Sequence, residues 1–516
     1  MKKELLSNIL IKIVASIFFL LMTINSILVF TKTAVFPKYY QEILYYKNDN
    51  AIVNIILLIV FSIVILIFSK YLQKVINIKR LVLLVMIYMF ILSLLFAILR
   101  RDYVQFDPFN VIAQAKNFIR DNYTGLDRGN NYLYIYSHQI TTVFLFQIIL
   151  SLFGMTTFIL YIMQCFSISY IVFMLYKIAD ILFKNKEINY ITVILSAVCF
   201  PLIFYVSFLY GILPGMFLAL LSFYNIIKYL KEGFWYNLII AIISINIAIL
   251  FIGNNLINLL SIFSVLTIYL IKKIDKKLFL FIIYSIFFML SFKSIIINYY
   301  QTVSQKDIPQ GVNKITWVAM GMQEGDREAG FFNGFNYDIM TEENYDNSKI
   351  VEISRKSIKQ RLAVFKNNPS YAYDFYSRKY ESQFIDPTFQ SLLITAPQKS
   401  IEDNSTFLLR VKNKIVEQIY FGNLSKILFY LMKVFQLFIY LFTLIFSIII
   451  FKRRDELYLF IPISFIGGSI FHIIWEAKSR YIFPYFVFLI PLAACSFVYT
   501  KNYLKNIIFR KEKYYE

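Results

Sequence analysis

Three short stretches hold most of the side chains able to do chemistry. The first is R-R-D-Y-V-Q-F-D-P-F-N at 100–110, where Arg100, Arg101, Asp102 and Asp107 crowd the end of an apolar run. The second, N-Y-L-Y-I-Y-S-H-Q at 131–139, holds His138, one of only two histidines, followed by Gln139. The third, H-I-I-W-E-A-K-S-R-Y-I-F-P at 472–484, carries Glu476, Lys478, Arg480 and Tyr481. A carboxylate can take the proton of an attacking hydroxyl, and a nearby cation can hold an anion, arginine through a bidentate fork. Plainer readings stand beside these. Asp107 before Pro108 is a common helix start. Arg100 and Arg101 can snorkel at a membrane interface, and His138 can make an ordinary interfacial hydrogen bond. Trp475 and Tyr481 suit an aromatic belt.

The elements that must position these residues follow from composition. The chain has 516 residues, 59% hydrophobic and only 16% charged, with a mean hydropathy of +0.62, which is too apolar for a soluble protein of this size. Apolar runs of about 20 residues recur, each long enough to cross ~30 Å of hydrocarbon. The net charge of +21 sits mostly in short clusters between these runs, so it reports membrane orientation rather than nucleic-acid binding. Cys165, Cys199 and Cys495 all lie inside apolar runs and imply no disulfide framework. Lys2 and Lys3 before an apolar run resemble a signal peptide, but no small-residue cleavage pattern follows, so an uncleaved first span is expected.

With the N-terminus cytosolic, spans at about 9–30, 51–69 and 81–98 return Lys70, Lys74, Lys79 and Arg80 to the cytosol and place 100–107 outside. The apolar stretch 139–153 then decides the map. If it lies at the outer interface or re-enters, 155–182 crosses inward and every later basic cluster becomes cytosolic. Those clusters are Lys184/Lys186, Lys228/Lys231, Lys272–Lys277, Lys452–Arg454 and Lys501–Lys513. The stretch 235–271 breaks at Gly253-Asn254-Asn255 into two spans meeting in an outer turn. The expected fold is all-α and polytopic, with about twelve spans and both termini cytoplasmic. Its parts are three spans in 1–98, an outer loop with juxtamembrane helices at 99–154 and six spans in 155–296. A mainly helical extracytoplasmic domain follows at 297–427, then three spans in 428–500 and a basic tail at 501–516. All three stretches fall on one face, and there Lys478 and Arg480 run against the positive-inside trend, which favours a bound anion.

D-P-F-N-V-I-A-Q-A, then Y-x-x-Y-S-H-Q, then Leu152-Phe153-Gly154, resembles the first outer loop of bacterial GT-C glycosyltransferases. These multi-spanning enzymes include the protein O-mannosyltransferases and the lipid A aminoarabinose transferase (glycosyltransferase family 39). W-E-A-K-S-R-Y-x-x-P is similar to the late motif of Gram-positive members, as are W-V-A-M-G-M-Q (317–323) and K-Y-E-S-Q-F-I-D-P-T (379–388). The resemblance implies a sugar donor linked to a polyprenyl phosphate and an extracytoplasmic acceptor that is a glycan, lipid or protein. It implies Asp107 as the catalytic base, by its spacing to Val111 and Ala115, with Asp102 as runner-up. It gives Lys478 and Arg480 to the departing phosphate and Glu476, His138, Gln139 and Tyr481 to the sugar or acceptor, while Arg100 and Arg101 either help to bind the lipid phosphate or only mark the interface. Two departures stand out. Relatives often carry an acid where this chain has Tyr210-Gly211-Ile212-Leu213-Pro214, and a basic residue where it has Gly253.

No cofactor and no nucleic-acid partner are expected; a divalent cation is left open, and membrane lipids are the remaining partner. The Gly-rich 311–334 lacks the context of a phosphate loop. A polyprenyl-linked polymerase or ligase is the alternative, using outer-loop arginines without a first-loop aspartate. A flippase or transporter ranks last, because the span interiors are almost free of acids and no two-halves repeat is visible.

Overall fold

Polar side chains between the apolar runs set where each helix starts. Asn50 accepts from the backbone N–H groups of Ile52 and Val53, Asn185 from Glu187 and Ile188, and Asp275 from Lys277, so each begins a helix at the first apolar turn. The computed structural model describes residues 2–37, 41–100, 104–397 and 405–512. In chain order, α1 (Lys2–Thr31) leads into a two-stranded antiparallel hairpin, β1 (Lys32–Val35) with β2 (Tyr45–Asn48), paired Lys32 to Asn48 and Val35 to Tyr45. Then come α2 (Ala51–Val75), α3 (Ile78–Arg100), α4 (Phe106–Ile119), α5 (Ile140–Phe153), α6 (Phe158–Phe183) and α7 (Lys186–Ala197). The middle of the chain forms α8 (Ile212–Glu232), α9 (Tyr236–Phe251), α10 (Leu256–Lys272) and α11 (Lys276–Ser304). A polar region holds α12 (Lys314–Gly321), α13 (Phe335–Glu342), α14 (Asn347–Asn367), α15 (Pro369–Phe384) and α16 (Phe407–Tyr420). The chain closes with α17 (Asn423–Arg453), α18 (Phe460–Ile474), α19 (Ser479–Phe488) and α20 (Ile490–Glu512).

The protein is an almost wholly helical, multi-pass membrane protein. Among the described residues nine helices are long and apolar enough to cross a bilayer, and eleven if the bent pairs α7 with 200–207 and α19 with α20 each count as one span. A count of twelve would need α9, whose 16 residues reach only about 24 Å. At 139–153, α5 has 14 residues and reaches about 21 Å before it stops at Gly154, less than the ~30 Å of hydrocarbon in a bilayer. The break at 253–255 is a single 3-10 turn, held by Asn255 Nδ2 donating to the Ala248 and Ile252 carbonyls.

Contacts between helix ends show which loops share a side. Ser169 Oγ donates to the Met86 carbonyl and Tyr190 OH to the Ile76 carbonyl, so α6 runs antiparallel to α3 and brings Lys184 to the Ile76 end. Lys501 pairs with Glu187, Lys231 Nζ reaches the Ile181 carbonyl, Phe183 packs on Tyr458, and Lys272 pairs with Glu456 at 2.5 Å. Lys184, Lys231, Lys272, Arg453 and Lys501, one from each later basic cluster, therefore gather with Lys79 and Arg80 at one end of the bundle. The opposite end carries the ends of α3 and α18, the hairpin and the polar region.

Candidate active site at the polar end of the bundle

Phe106 starts α4 with φ 57°, a left-handed conformation rare for an aromatic residue. The cap position is Gln105, which makes no side-chain cap bond, so Asp107 lies inside the first turn and is not a helix cap. Gln105 Nε2 instead donates to the Ala396 carbonyl at 3.2 Å. Backbone strain next to an unspent carboxylate is the kind of local cost that functional sites retain. Burial pushes the Asp107 carboxyl above its ordinary value; Arg480 and Lys478 oppose this, while Glu476 and Glu42 add to it.

Those five residues come from three distant parts of the chain. Glu42 lies between the two hairpin strands, and Lys478 Nζ sits 2.8 and 2.9 Å from its two carboxylate oxygens. Lys478 also pairs with Glu476 at 3.2 Å, and Arg327 Nη1 lies 2.6 Å from Glu42. Burial alone would raise Glu42, but Lys478, Arg480 and Arg327 hold its carboxyl down at about 2. Tyr481 OH donates to Glu476 at 3.1 Å, and His472 Nδ1 lies 3.2 Å from the Glu476 carbonyl. Lys478 is thus neutralised by two carboxylates. Arg480 is different: among the described residues it forms no ion pair, and its guanidinium faces the rings of Phe208 and Tyr481 at 5.6 and 5.2 Å. Of the two cations, Arg480 is the one that feels the carboxylates of Glu42, Glu476 and Asp107 without a direct ion pair among the described residues.

A phenol layer lies behind Asp107. Tyr132 OH is 3.5 Å from Asp107 Oδ1 and also bonds Tyr210, which accepts from Gln139 Nε2 at 2.5 Å. Burial holds both phenols well above their ordinary value, so they stay protonated donors. Gln139 is buried behind Tyr210. Gly211, next in the chain, has φ 83°, and a Cβ there would meet the Phe251 carbonyl oxygen at 2.5 Å. Only glycine lets the chain turn there beneath the phenols.

The arginines at the end of α3 divide. Arg101 and Asp102 lie outside the described residues. Arg100 is 1% exposed, so it does not snorkel; its Nε and Nη2 donate to the Thr395 carbonyl at 2.9 and 2.5 Å. With Gln105 on Ala396, this fastens the end of the polar region over the loop that carries Asp107. Asp386 does similar work in the 379–388 motif. Its oxygens accept from Thr388, the Gln390 N–H and Ser479 Oγ, the last at 2.7 Å, which fixes the residue before Arg480. Lys379, wholly buried, donates to the carbonyls of Gly321 and Trp475 and ties α15 to the ends of α12 and α18.

Rings complete an arc from Asp107 to Glu476. Tyr132 lies 5.3 Å from Tyr136, Tyr136 6.3 Å from Trp317, and Trp317 6.3 Å from Trp475 with planes 12° apart. Trp475 stacks on Phe471 at 5.2 Å, and His472 stacks on Tyr481 at 4.9 Å. His138 is exposed and makes no hydrogen bond among the described residues; its ring stands 6.1 Å from Trp317. Among the described residues no three His, Cys, Asp or Glu side chains group as metal ligands.

Sequence reasoning missed Glu42, Tyr132, Arg327, Lys379 and the part played by Tyr210. Glu42 had one usable signal: it and Asp49 are the two acids in the polar loop 31–50, which faces the same side as the late cations. No protein-family model matches the chain, and no curated protein matches its sequence.

Proposed function

We propose that this chain is a membrane glycosyltransferase of GT-C type that moves a sugar from a polyprenyl-phosphate-linked donor onto an extracytoplasmic acceptor. The observation that carries the reading is the placing of Asp107, a partly buried carboxylate directly after the left-handed Phe106, near Arg480, a cation with no ion pair among the described residues. The acceptor hydroxyl oxygen attacks the anomeric carbon and its proton passes to Asp107. The bond from that carbon to the phosphate oxygen breaks, and its electron pair leaves with the polyprenyl phosphate. Arg480 meets the growing negative charge, stabilising the transition state more than the ground state. Lys478, neutralised by Glu42 and Glu476, keeps the late motif in place. On this reading the site faces outward, both termini are cytoplasmic, and α9 completes a twelve-span map. The gathering of basic clusters at the far end supports that orientation.

Asp107→Asn should abolish sugar transfer in reconstituted vesicles while donor binding stays near wild type. Normal turnover in that variant would remove the base. If turnover survived there but fell in Arg480→Ala, the polymerase or ligase chemistry would be favoured.

A further inference from the structure

The transfer step uses the charged cluster and leaves the neighbouring rings without a task. Tyr136, His138, Trp317, Trp475 and Phe471 form a continuous strip, each ring 5.2 to 6.3 Å from the next. His138 is exposed and the other four are half-buried, so every ring of the strip keeps part of its surface open. The tryptophans lie nearly parallel although 158 residues apart in sequence. An aromatic belt follows the lipid boundary and ends on lipid. This strip runs beside the charged cluster instead. Trp475 directly precedes Glu476, and the Tyr136 phenol feels the charges of both Asp107 and Glu476.

Such a surface selects its ligand by shape and charge. A pyranose ring presents a flat face of weakly positive C–H bonds and a rim of hydroxyls. Aromatic faces carry negative charge density and suit the C–H side, while polar groups at the end of the strip suit the rim. An acyl chain offers no hydroxyl rim, and a peptide hydroxyl brings no flat C–H face.

We propose that Trp317 and Trp475 form an acceptor platform and that the acceptor is a saccharide, stacked so that one hydroxyl reaches Asp107. Its role as acceptor rests on the transferase reading; the binding of a saccharide to the strip does not. The step remains the one above, with the hydroxyl of the stacked sugar giving its proton to Asp107 as its oxygen joins the anomeric carbon.

The test uses the full chain in lipid nanodiscs without donor. Trp235→Phe leaves Trp317 and Trp475 as the only tryptophans. Emission is followed during titration with maltopentaose, chitopentaose and a β-galactan pentamer, against a Ser/Thr hexapeptide. At least one saccharide should give a saturable change that the peptide does not. Trp317→Phe should keep that affinity within about threefold, and Trp317→Ala should weaken it about tenfold or more, as loss of an aromatic face demands. His138→Ala, a change at an exposed ring, supplies the second variant if Trp317→Ala does not fold, and should also weaken binding. No response to any of the saccharides, an equal response to the peptide, or unchanged affinity in the variants overturns the platform. Saccharide binding without transfer when donor is added would sink the transferase reading alone; transfer without any saccharide response would sink the platform alone.

Discussion

At the scale of single residues, Asp107 and Glu42 are two carboxylates in one site with opposite burdens. Burial raises Asp107, so between its ordinary value and the raised one the folded chain binds more protons than the unfolded chain. Ionising it at neutral pH therefore costs stability, and Asp107→Asn should raise the melting temperature in detergent while removing transfer. A lower melting temperature would mean that the carboxylate serves structure. Glu42 runs the other way. Its cations hold it near 2, so the stability it contributes is complete above the ordinary glutamate range and is lost as pH falls towards 2. Glu42→Gln leaves buried Lys478 underpaired and should cost about 3 kcal/mol at pH 7, shrinking in acid. A pH-independent loss in thermal unfolding would contradict the ion-pair account. Arg480→Ala should lower kcat tenfold or more, as for other losses of a charge stabiliser; an unchanged kcat would count against its role. Asp107, Glu476, Lys478, Arg480 and Tyr481 were legible as residue types at one membrane face. Arg100 was misread, because nothing in R-R-D says that the Thr395 carbonyl waits at the end of α3.

At the scale of elements, apolar length and caps carried most of the information, and pairing across long separations carried none. The loop 31–50 reads as polar connection, yet it forms a hairpin. Strands of four residues are too short to announce themselves, and this hairpin depends on outside support. Ala34 N–H donates to the Ile385 carbonyl at 3.1 Å, Lys32 pairs with Glu381, and Asp49 pairs with Lys433 at 3.0 Å. Lys379 makes the same point for the polar region. Burial lowers its ammonium to about 7, with Glu476 opposing, while an unfolded lysine titrates near 10.4. Across that interval the unfolded chain binds more protons, so stability should rise with pH. Thermal unfolding from about pH 7 to 10 should show that rise in wild type and a flatter curve in Lys379→Met. Equal slopes would mean that the lysine stays charged in the fold.

At the scale of the whole molecule, the placement of Lys184, Lys231, Lys272 and Lys501 at one end makes a direct prediction. A cysteine engineered beside Lys184 in a cysteine-free background should resist an impermeant thiol reagent applied outside, and react after permeabilisation. Labelling from outside would invert the map and return α5 to a full crossing. The amino-acid sequence by itself determined the membrane class and the break at 253–255. Those properties are one-dimensional: apolar length against bilayer thickness, and turn-prone residues that interrupt an apolar run. Only the tertiary structure decided which charges meet. Glu42 finds Lys478 across 436 residues, and Arg100 finds Thr395 across 295. Periodicity and composition act over a turn or a bilayer, whereas an ion pair forms between whatever side chains the packed helices bring within a few ångströms.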